Sequence, residues 1–177
     1  QWRQIQGVMP YTDWHPALHT LMMAALLKLV DHPAFVLAVQ GLCYALAVGY
    51  TADVLARWRI PKWVILVITA YLSLNPSISN IMLFPWKDCA FAIAALFLGA
   101  QLLDVHFSQG ESLSPARCLA LGATLSLCAI LRHNGMAMAL AAGAWLLIAL
   151  PQRWKRILPA LLIAVLMTLG IRGPLYQ

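Results

Sequence analysis

One carboxylate and two imidazoles lie close together near the start of the chain: Asp13, His15 and His19. A carboxylate beside an acceptor hydroxyl can act as a general base, and imidazoles can contact a polar substrate or exchange protons with it. His15 and His19 are four residues apart, so a helix would place both on one face. Asp13 would then lie at the N-terminal end of that helix. The pattern predicts a reaction site with Asp13 as its base.

Each of these three residues also has a structural interpretation. Asp13 could serve as a helix N-cap, a position that Asp often takes. His15 and His19 could contact a substrate phosphate, hydrogen-bond a neighbouring loop, or bind a metal with a third ligand. The sequence indicates no cofactor, and a divalent metal stays an alternative without a motif of its own.

Two further polar groups interrupt the apolar part of the chain. Lys87 and Asp88 follow Trp86, and Arg132, His133 and Asn134 form a short turn. Lysine and arginine hold phosphate groups, and the planar guanidinium matches phosphate oxygens in a bidentate fashion. Lys87 and Asp88 could instead be an interfacial anchor with a local ion pair. Arg132 has no acidic neighbour in sequence, which favours a functional role for it.

The composition determines the kind of fold that must position these residues. Hydrophobic residues make up 62% of the 177, charged residues 10%, and the mean hydropathy is +0.78. One soluble core could not bury that much apolar surface, so the chain is predicted to be an all-α, multi-pass membrane bundle. The net charge of +6 comes from scattered lysines and arginines without a basic stripe, which argues against nucleic acid as a partner.

Charges and helix breakers divide most of the chain into six apolar runs. They are Ala34 to Ala56, Trp63 to Leu74, Cys89 to Leu103, Cys118 to Leu131, Met136 to Leu150 and Ile157 to Ile171. We therefore expect a bundle of about six spans over residues 34–177, although several runs are shorter than the roughly 20 residues of a full span. Residues 1–33 are expected to be an extracytoplasmic loop that contains an interfacial amphipathic helix from His15 to Val30. We also expect the chain to be a fragment of a longer protein, because it starts without Met and stops just after an apolar run.

The loop charges predict the orientation of the bundle. Seven lysines and arginines fall in three short loops on one side, at residues 57–62, 117 and 153–156. The positive-inside rule makes that side cytoplasmic. Asp53 and Asp104 then lie near the cytoplasmic ends of their spans. Asp13, Lys87 and Arg132 share the opposite, extracytoplasmic side.

The run Asp13-Trp14-His15-Pro16-Ala17-Leu18-His19-Thr20 resembles the start of GT-C glycosyltransferases of the protein mannosyltransferase type. Their pattern is roughly His-Pro-Pro-Leu-Tyr-Tyr before an apolar helix that ends in Lys-Leu or Lys-Phe, which Lys28-Leu29 matches here. Trp86-Lys87-Asp88 and Arg132-His133-Asn134-Gly135 are similar to segments of an uncharacterised bacterial branch of that superfamily. The chain departs from the pattern at Ala17, and no acidic pair flanks Asp13.

The resemblance implies an inverting hexosyltransferase in the bacterial cytoplasmic membrane. It would move a sugar from a polyprenyl-phosphate donor to a glycan, lipid or protein acceptor on the extracytoplasmic face. Asp13 would be the catalytic base. Substrate or phosphate contacts would come from His15, His19, Lys87, Asp88, Arg132, His133 and Asn134.

Other classes of protein are alternatives. The principal one is a transporter or flippase of lipid-linked or anionic substrates, which would place its ionisable residues near the membrane midplane in two related halves. A membrane metal or haem protein would need His106 to join the other histidines, although it falls on the opposite side. A non-catalytic subunit of a larger assembly is the third alternative.

Overall fold

The computed structural model describes the backbone of residues 17–175 and the side chains of residues 18–171. Asp13 and His15 lie outside the described residues. Every regular element between residues 17 and 175 is helical. The α-helices are α1 (Ala17–Leu29), α2 (Pro33–Arg57), α3 (Lys62–Leu74), α4 (Pro76–Met82), α5 (Lys87–Phe107), α6 (Pro115–Leu131), α7 (His133–Ala149) and α8 (Trp154–Leu175), with a 3₁₀ turn at Pro151–Arg153 before α8.

The helices begin where the sequence provides proline and capping side chains. Pro33, Pro76 and Pro115 each stand at the start of a helix, where a missing backbone N–H costs no hydrogen bond. Asn75 Oδ1 accepts from the backbone N–H of residue 77 at 2.9 Å, and Ser114 Oγ accepts from that of residue 117 at 3.3 Å. These local signals explain why each apolar run forms the larger part of one helix.

Three of the described segments are long and apolar enough to cross a membrane: α2, α5 and residues 151–171. Helices α3 and α4 would form a fourth span if they are counted together, and they are bent by 51° at their junction. Residues 18–29, α6 and α7 are shorter apolar helices. The all-α prediction is confirmed for the described residues, and these helices suggest a membrane protein. Six separate crossings stay a prediction.

Side-chain contacts at the helix ends define the directions of the helices. Asp104, near the end of α5, contacts Arg57 at the end of α2 and Arg117 at the start of α6. Asp88, at the start of α5, contacts Arg132 at the end of α6. Helices α2 and α5 therefore run in the same direction, and α6 runs back between the two ends of the bundle.

Helix α6 lies at the centre of the bundle, with α8 running parallel to it. Cys118 Sγ donates to the carbonyl of Arg156 at 3.4 Å, and Thr168 Oγ1 donates to Ser126 Oγ at 3.1 Å. Gly122 permits this close packing, because an added Cβ would lie 2.6 Å from the carbonyl oxygen of residue 160. The fully buried side chains are concentrated here, and they include Leu121, Leu125, Leu131, Leu146 and Ile157.

Candidate functional site

The structure brings two of the polar groups together at one end of the bundle. Asp88 lies in the first turn of α5, and its Oδ1 atom is 3.5 Å from Arg132 Nε. Arg132 is the single residue between α6 and α7, and its backbone is extended, with φ −151° and ψ 144°. Sequence alone gave Arg132 no acidic neighbour. The antiparallel packing of α5 and α6 supplies one.

The Arg132 guanidinium also lies over an aromatic ring. Its central carbon lies 5.7 Å from the centroid of the Phe91 ring, a cation–π contact that uses none of its N–H groups. The side chain is 45% exposed. Within the described part of the chain, it donates no hydrogen bond. Among the described residues only Asp88 contacts the guanidinium as an anion, so this end of the bundle presents a partly exposed cation.

The two carboxylate oxygens of Asp88 lie in different environments. Oδ1 has almost no accessible surface and accepts no hydrogen bond from a described residue. The side chain as a whole is 44% exposed, so Oδ2 provides its contact with solvent. A charge-assisted hydrogen bond between these groups would measure about 2.7–2.9 Å, so the 3.5 Å contact is a loose ion pair.

Gly135 makes the turn between α6 and α7 sterically feasible. Its backbone N–H donates to the carbonyl of Arg132 at 3.0 Å. A Cβ at this position would overlap the carbonyl of Cys128 and come within 2.9 Å of Phe91 Cε2. The glycine therefore lets α7 begin directly against α6 and beside the ring that supports Arg132. His133 and Asn134 are exposed in the first turn of α7.

Lys87 is the first residue of α5 and is partly buried next to Asp88. The first turns of α5 and α7 thus contain five of the predicted site residues. They are Lys87, Asp88, Arg132 at the N-cap, His133 and Asn134. Unpaired N–H groups give a helix N-terminus a partial positive charge. Lys87, Arg132 and the two helix N-termini therefore favour an anion, whereas the Asp88 carboxylate opposes one.

His19 lies on α1 but faces the interior of the bundle. Only 4% of it is exposed, and it lines a groove of about 220 Å³ between α1, α2, α5 and α6. The groove is mainly apolar, with Gln40 and Thr124 among its few polar members. Its lining includes Leu131, which directly precedes Arg132, and Ala90, which lies two residues after Asp88. The apolar groove therefore reaches the end of the bundle that contains Asp88 and Arg132.

A second polar cluster, at the other end of the bundle, was missed by the sequence interpretation. Asp104 is only 2% exposed. Its Oδ1 accepts from Arg57 Nη1 at 2.9 Å and from Trp58 Nε1 at 3.1 Å, and its Oδ2 accepts from Arg117 Nη1 at 2.8 Å. Arg57 Nε also donates to Asp53 at 3.1 Å. The sequence did contain a signal for this cluster. A carboxylate stands at the end of one apolar run, and arginines stand at the ends of two other runs that are predicted to meet it on the same side of the membrane.

Among residues 17–175, no group of three or more His, Cys, Asp or Glu side chains is arranged to hold a metal ion. His106, which one alternative required, contacts Trp145 near the Asp104 end, with ring centroids 5.5 Å apart. That places it at the opposite end from Asp88 and Arg132.

The helices and the polar cluster at one end indicate the class: an all-helical bundle with apolar helices of membrane-spanning length. A family model described as "Family of unknown function (DUF6020)" matches residues 8–173, and the chain belongs to this family. No curated protein and no solved structure matches the chain.

Proposed function

We propose that the chain belongs to an integral-membrane glycosyltransferase of GT-C type. The enzyme moves a sugar from a polyprenyl-phosphate donor to an acceptor on the extracytoplasmic face of the membrane. The observation that carries the proposal is the position of Arg132, a partly exposed cation that directly follows Leu131, a lining residue of the apolar groove. A donor of this class has both chemistries, a phosphate and a long apolar chain.

The phosphate end of such a donor would be bound by the cluster at the start of α5 and α7. Negative charge grows on the phosphate as the glycosidic bond breaks, so preorganised cations there stabilise the transition state. Arg132 supplies a planar fork, and Lys87 supplies a mobile point charge. His133 and Asn134 add polar groups at the N-terminus of α7, where the helix dipole is positive.

The reaction would be a single displacement at the anomeric carbon. Asp13 takes the proton of the acceptor hydroxyl, the acceptor oxygen bonds to the anomeric carbon, and the electron pair of the broken bond leaves with the phosphate. Attack from the side opposite the phosphate inverts the anomeric centre. The role of Asp13 comes from its sequence context, because the residue precedes the described part of the chain.

The apolar groove supports the same class of substrate. Its walls come from four helices, and the side chains are mostly aliphatic. Burying isoprenoid methylene and methyl groups there would contribute binding free energy of about 25 cal/mol for each Å² of apolar surface. Because the chain is repetitive and uncharged, this part of the site contributes affinity, while the polar cluster recognises the phosphate.

Turnover of a defined donor tests the proposal. The full-length protein would be reconstituted in lipid and offered a polyprenyl-phosphate sugar, and the released polyprenyl phosphate would be measured. Asp13→Asn and Arg132→Gln are each expected to lower the rate at least ~100-fold, as for loss of a general base or of a transition-state cation. Arg156→Gln makes the same change at an exposed arginine of α8 and is the matched control.

The outcomes separate the candidate functions. Wild-type turnover by Asp13→Asn would show that the base assignment is wrong. Transfer of the lipid-linked sugar across the membrane without release of carrier would instead support the transporter or flippase alternative. Loss of turnover with a chelator would instead support the alternative in which the histidines bind a metal.

A further inference from the structure

The contact between Asp88 and Arg132 is weak for two groups that could form a strong pair. Arginine and carboxylate commonly make two parallel hydrogen bonds. Here a single pair of atoms approaches to 3.5 Å, and Asp88 Oδ1 is covered without accepting a hydrogen bond from a described residue. A covered acceptor that lacks a hydrogen bond costs free energy. The pair should therefore open easily.

Arg132 keeps its position when the pair opens. Its backbone joins α6 directly to α7, and its guanidinium lies over the Phe91 ring. Neither constraint uses an N–H group of the side chain. Displacing Asp88 would therefore leave a cation already positioned for another anion.

Asp88 also has a favourable place without Arg132. It lies in the first turn of α5, where the helix dipole favours a negative charge, and almost half of its side chain is exposed. The carboxylate therefore keeps contact with solvent when the pair opens. Asp88 can therefore compete for Arg132 in the absence of ligand and release it when a ligand binds.

We propose that Asp88 is a specificity-determining residue that screens Arg132 from the anionic headgroups of ordinary phospholipids. A phospholipid headgroup at the membrane surface meets a guanidinium whose charge is partly neutralised. A phosphate on a chain that also fills the groove gains apolar burial, and this offsets the cost of displacing Asp88. The inference rests on the proposed function, because it assumes that a lipid-linked phosphate is the ligand of this site.

Binding of farnesyl phosphate to the full chain in lipid nanodiscs tests the proposal. One set of nanodiscs contains phosphatidylcholine, and the other contains equal parts of phosphatidylcholine and phosphatidylglycerol. In phosphatidylcholine, Asp88→Asn is expected to bind farnesyl phosphate up to about fivefold more tightly than wild type, which is the scale of an exposed ion pair. In the mixed lipid, phosphatidylglycerol should compete with the variant and abolish that gain.

Three controls isolate the charge of Asp88. Asp88→Glu keeps the charge and should behave as wild type. Asp53→Asn removes an exposed carboxylate that pairs with Arg57 at the other end of the bundle, and it should change nothing in this assay. Farnesol, which lacks the phosphate, should bind equally to all the variants.

Different results would contradict the role of Asp88 and the proposed function. If wild type binds farnesyl phosphate better than farnesol, and Asp88→Asn shows neither tighter binding nor sensitivity to phosphatidylglycerol, the role of Asp88 is overturned and the proposed function stands. If wild type does not prefer farnesyl phosphate to farnesol, the proposed function fails and the role of Asp88 fails with it.

Discussion

The bundle has a carboxylate–arginine contact at each end, and the two contacts are built differently. Asp104 is buried and receives three hydrogen bonds of 2.8–3.1 Å from α2, the residue after α2, and α6. Asp88 is half exposed and makes one contact of 3.5 Å. The first arrangement satisfies its carboxylate and holds helix ends together. Among the described residues, the second leaves both partners with unused hydrogen-bonding capacity, which a binding site requires and a structural contact does not.

The clearest test of the difference between the two ends of the bundle is the side of the membrane from which each end can be labelled. We expect Asn134→Cys to react with a membrane-impermeant maleimide from outside the cell and Lys155→Cys to react only after permeabilisation, both in a Cys43→Ala background. This follows from the cationic loops near Asp104, which predict a cytoplasmic position for that end. Labelling of both positions from the same side would contradict the membrane orientation and leave the two clusters intact.

Replacing each carboxylate in turn should distinguish the structural contact at Asp104 from the weaker contact at Asp88. Asp104→Asn is expected to lower the free energy of unfolding by about 3 kcal/mol, because it weakens the anchor of two arginines and a tryptophan. Asp88→Asn should cost less than about 1 kcal/mol, as for an exposed pair. Unfolding by denaturing detergent in mixed micelles measures both. Equal losses for the two variants would remove the distinction between the ends.

Gly135, which lies three residues after Arg132, is expected to affect stability because no larger side chain fits at its position. We expect Gly135→Ala to destabilise the protein by about 2 kcal/mol, because its methyl group would press on the Cys128 carbonyl and the Phe91 ring. Gly49→Ala is the matched control, since nothing lies within 4 Å of a Cβ at that position. Alanine has the higher helix propensity, so the control should be neutral or up to about 1 kcal/mol more stable. The same unfolding measurement applies.

A neutral Gly135→Ala would show that the junction between α6 and α7 has room to relax. In that case Arg132 would not be fixed in position by the packing beneath it. The Asp88 end and the Asp104 end of the bundle would then differ only in their hydrogen bonds.

The helices were predictable from the sequence because their signals are local. Apolar runs, prolines and charges at their ends were enough to indicate α2, α3 and α5 to within a few residues. The predicted helix from His15 to Val30 corresponds to α1, which is described from residue 17. Its His19 was expected at a polar interface, yet the side chain is buried against the bundle. Which face of α1 packs inward depends on neighbours that the periodicity of α1 does not specify.

The pairing of distant residues could not be predicted in the same way. Asp88 meets Arg132, and Asp104 meets Arg57 and Arg117, only because α5 packs between α2 and α6. The charge pattern could assign these residues to one side of a membrane or the other. It could not show that one carboxylate would be buried and saturated while the other stayed half exposed.

The sequence does not distinguish the glycines that allow close helix contact from those that do not. Gly49, Gly99, Gly122 and Gly143 all lie within apolar runs of the sequence, where a glycine can permit close helix contact. An added Cβ would meet atoms of α8 at Gly122 and at Gly143, whereas at Gly49 and Gly99 nothing lies within 4 Å. Composition cannot separate the two kinds, because the difference arises from which helix lies opposite.

The single-residue junction at Arg132 has a consequence for the register of α7. One residue inserted into the first turn of α7, before Gly135, would turn everything that follows by about 100°, since an α-helix has 3.6 residues per turn. Gly135 would then rotate away from Cys128, and a side chain would have to occupy the space that the glycine leaves. The length of this connection is therefore as constrained as its sequence, and the orientation of α7 and the position of the guanidinium would have to change together.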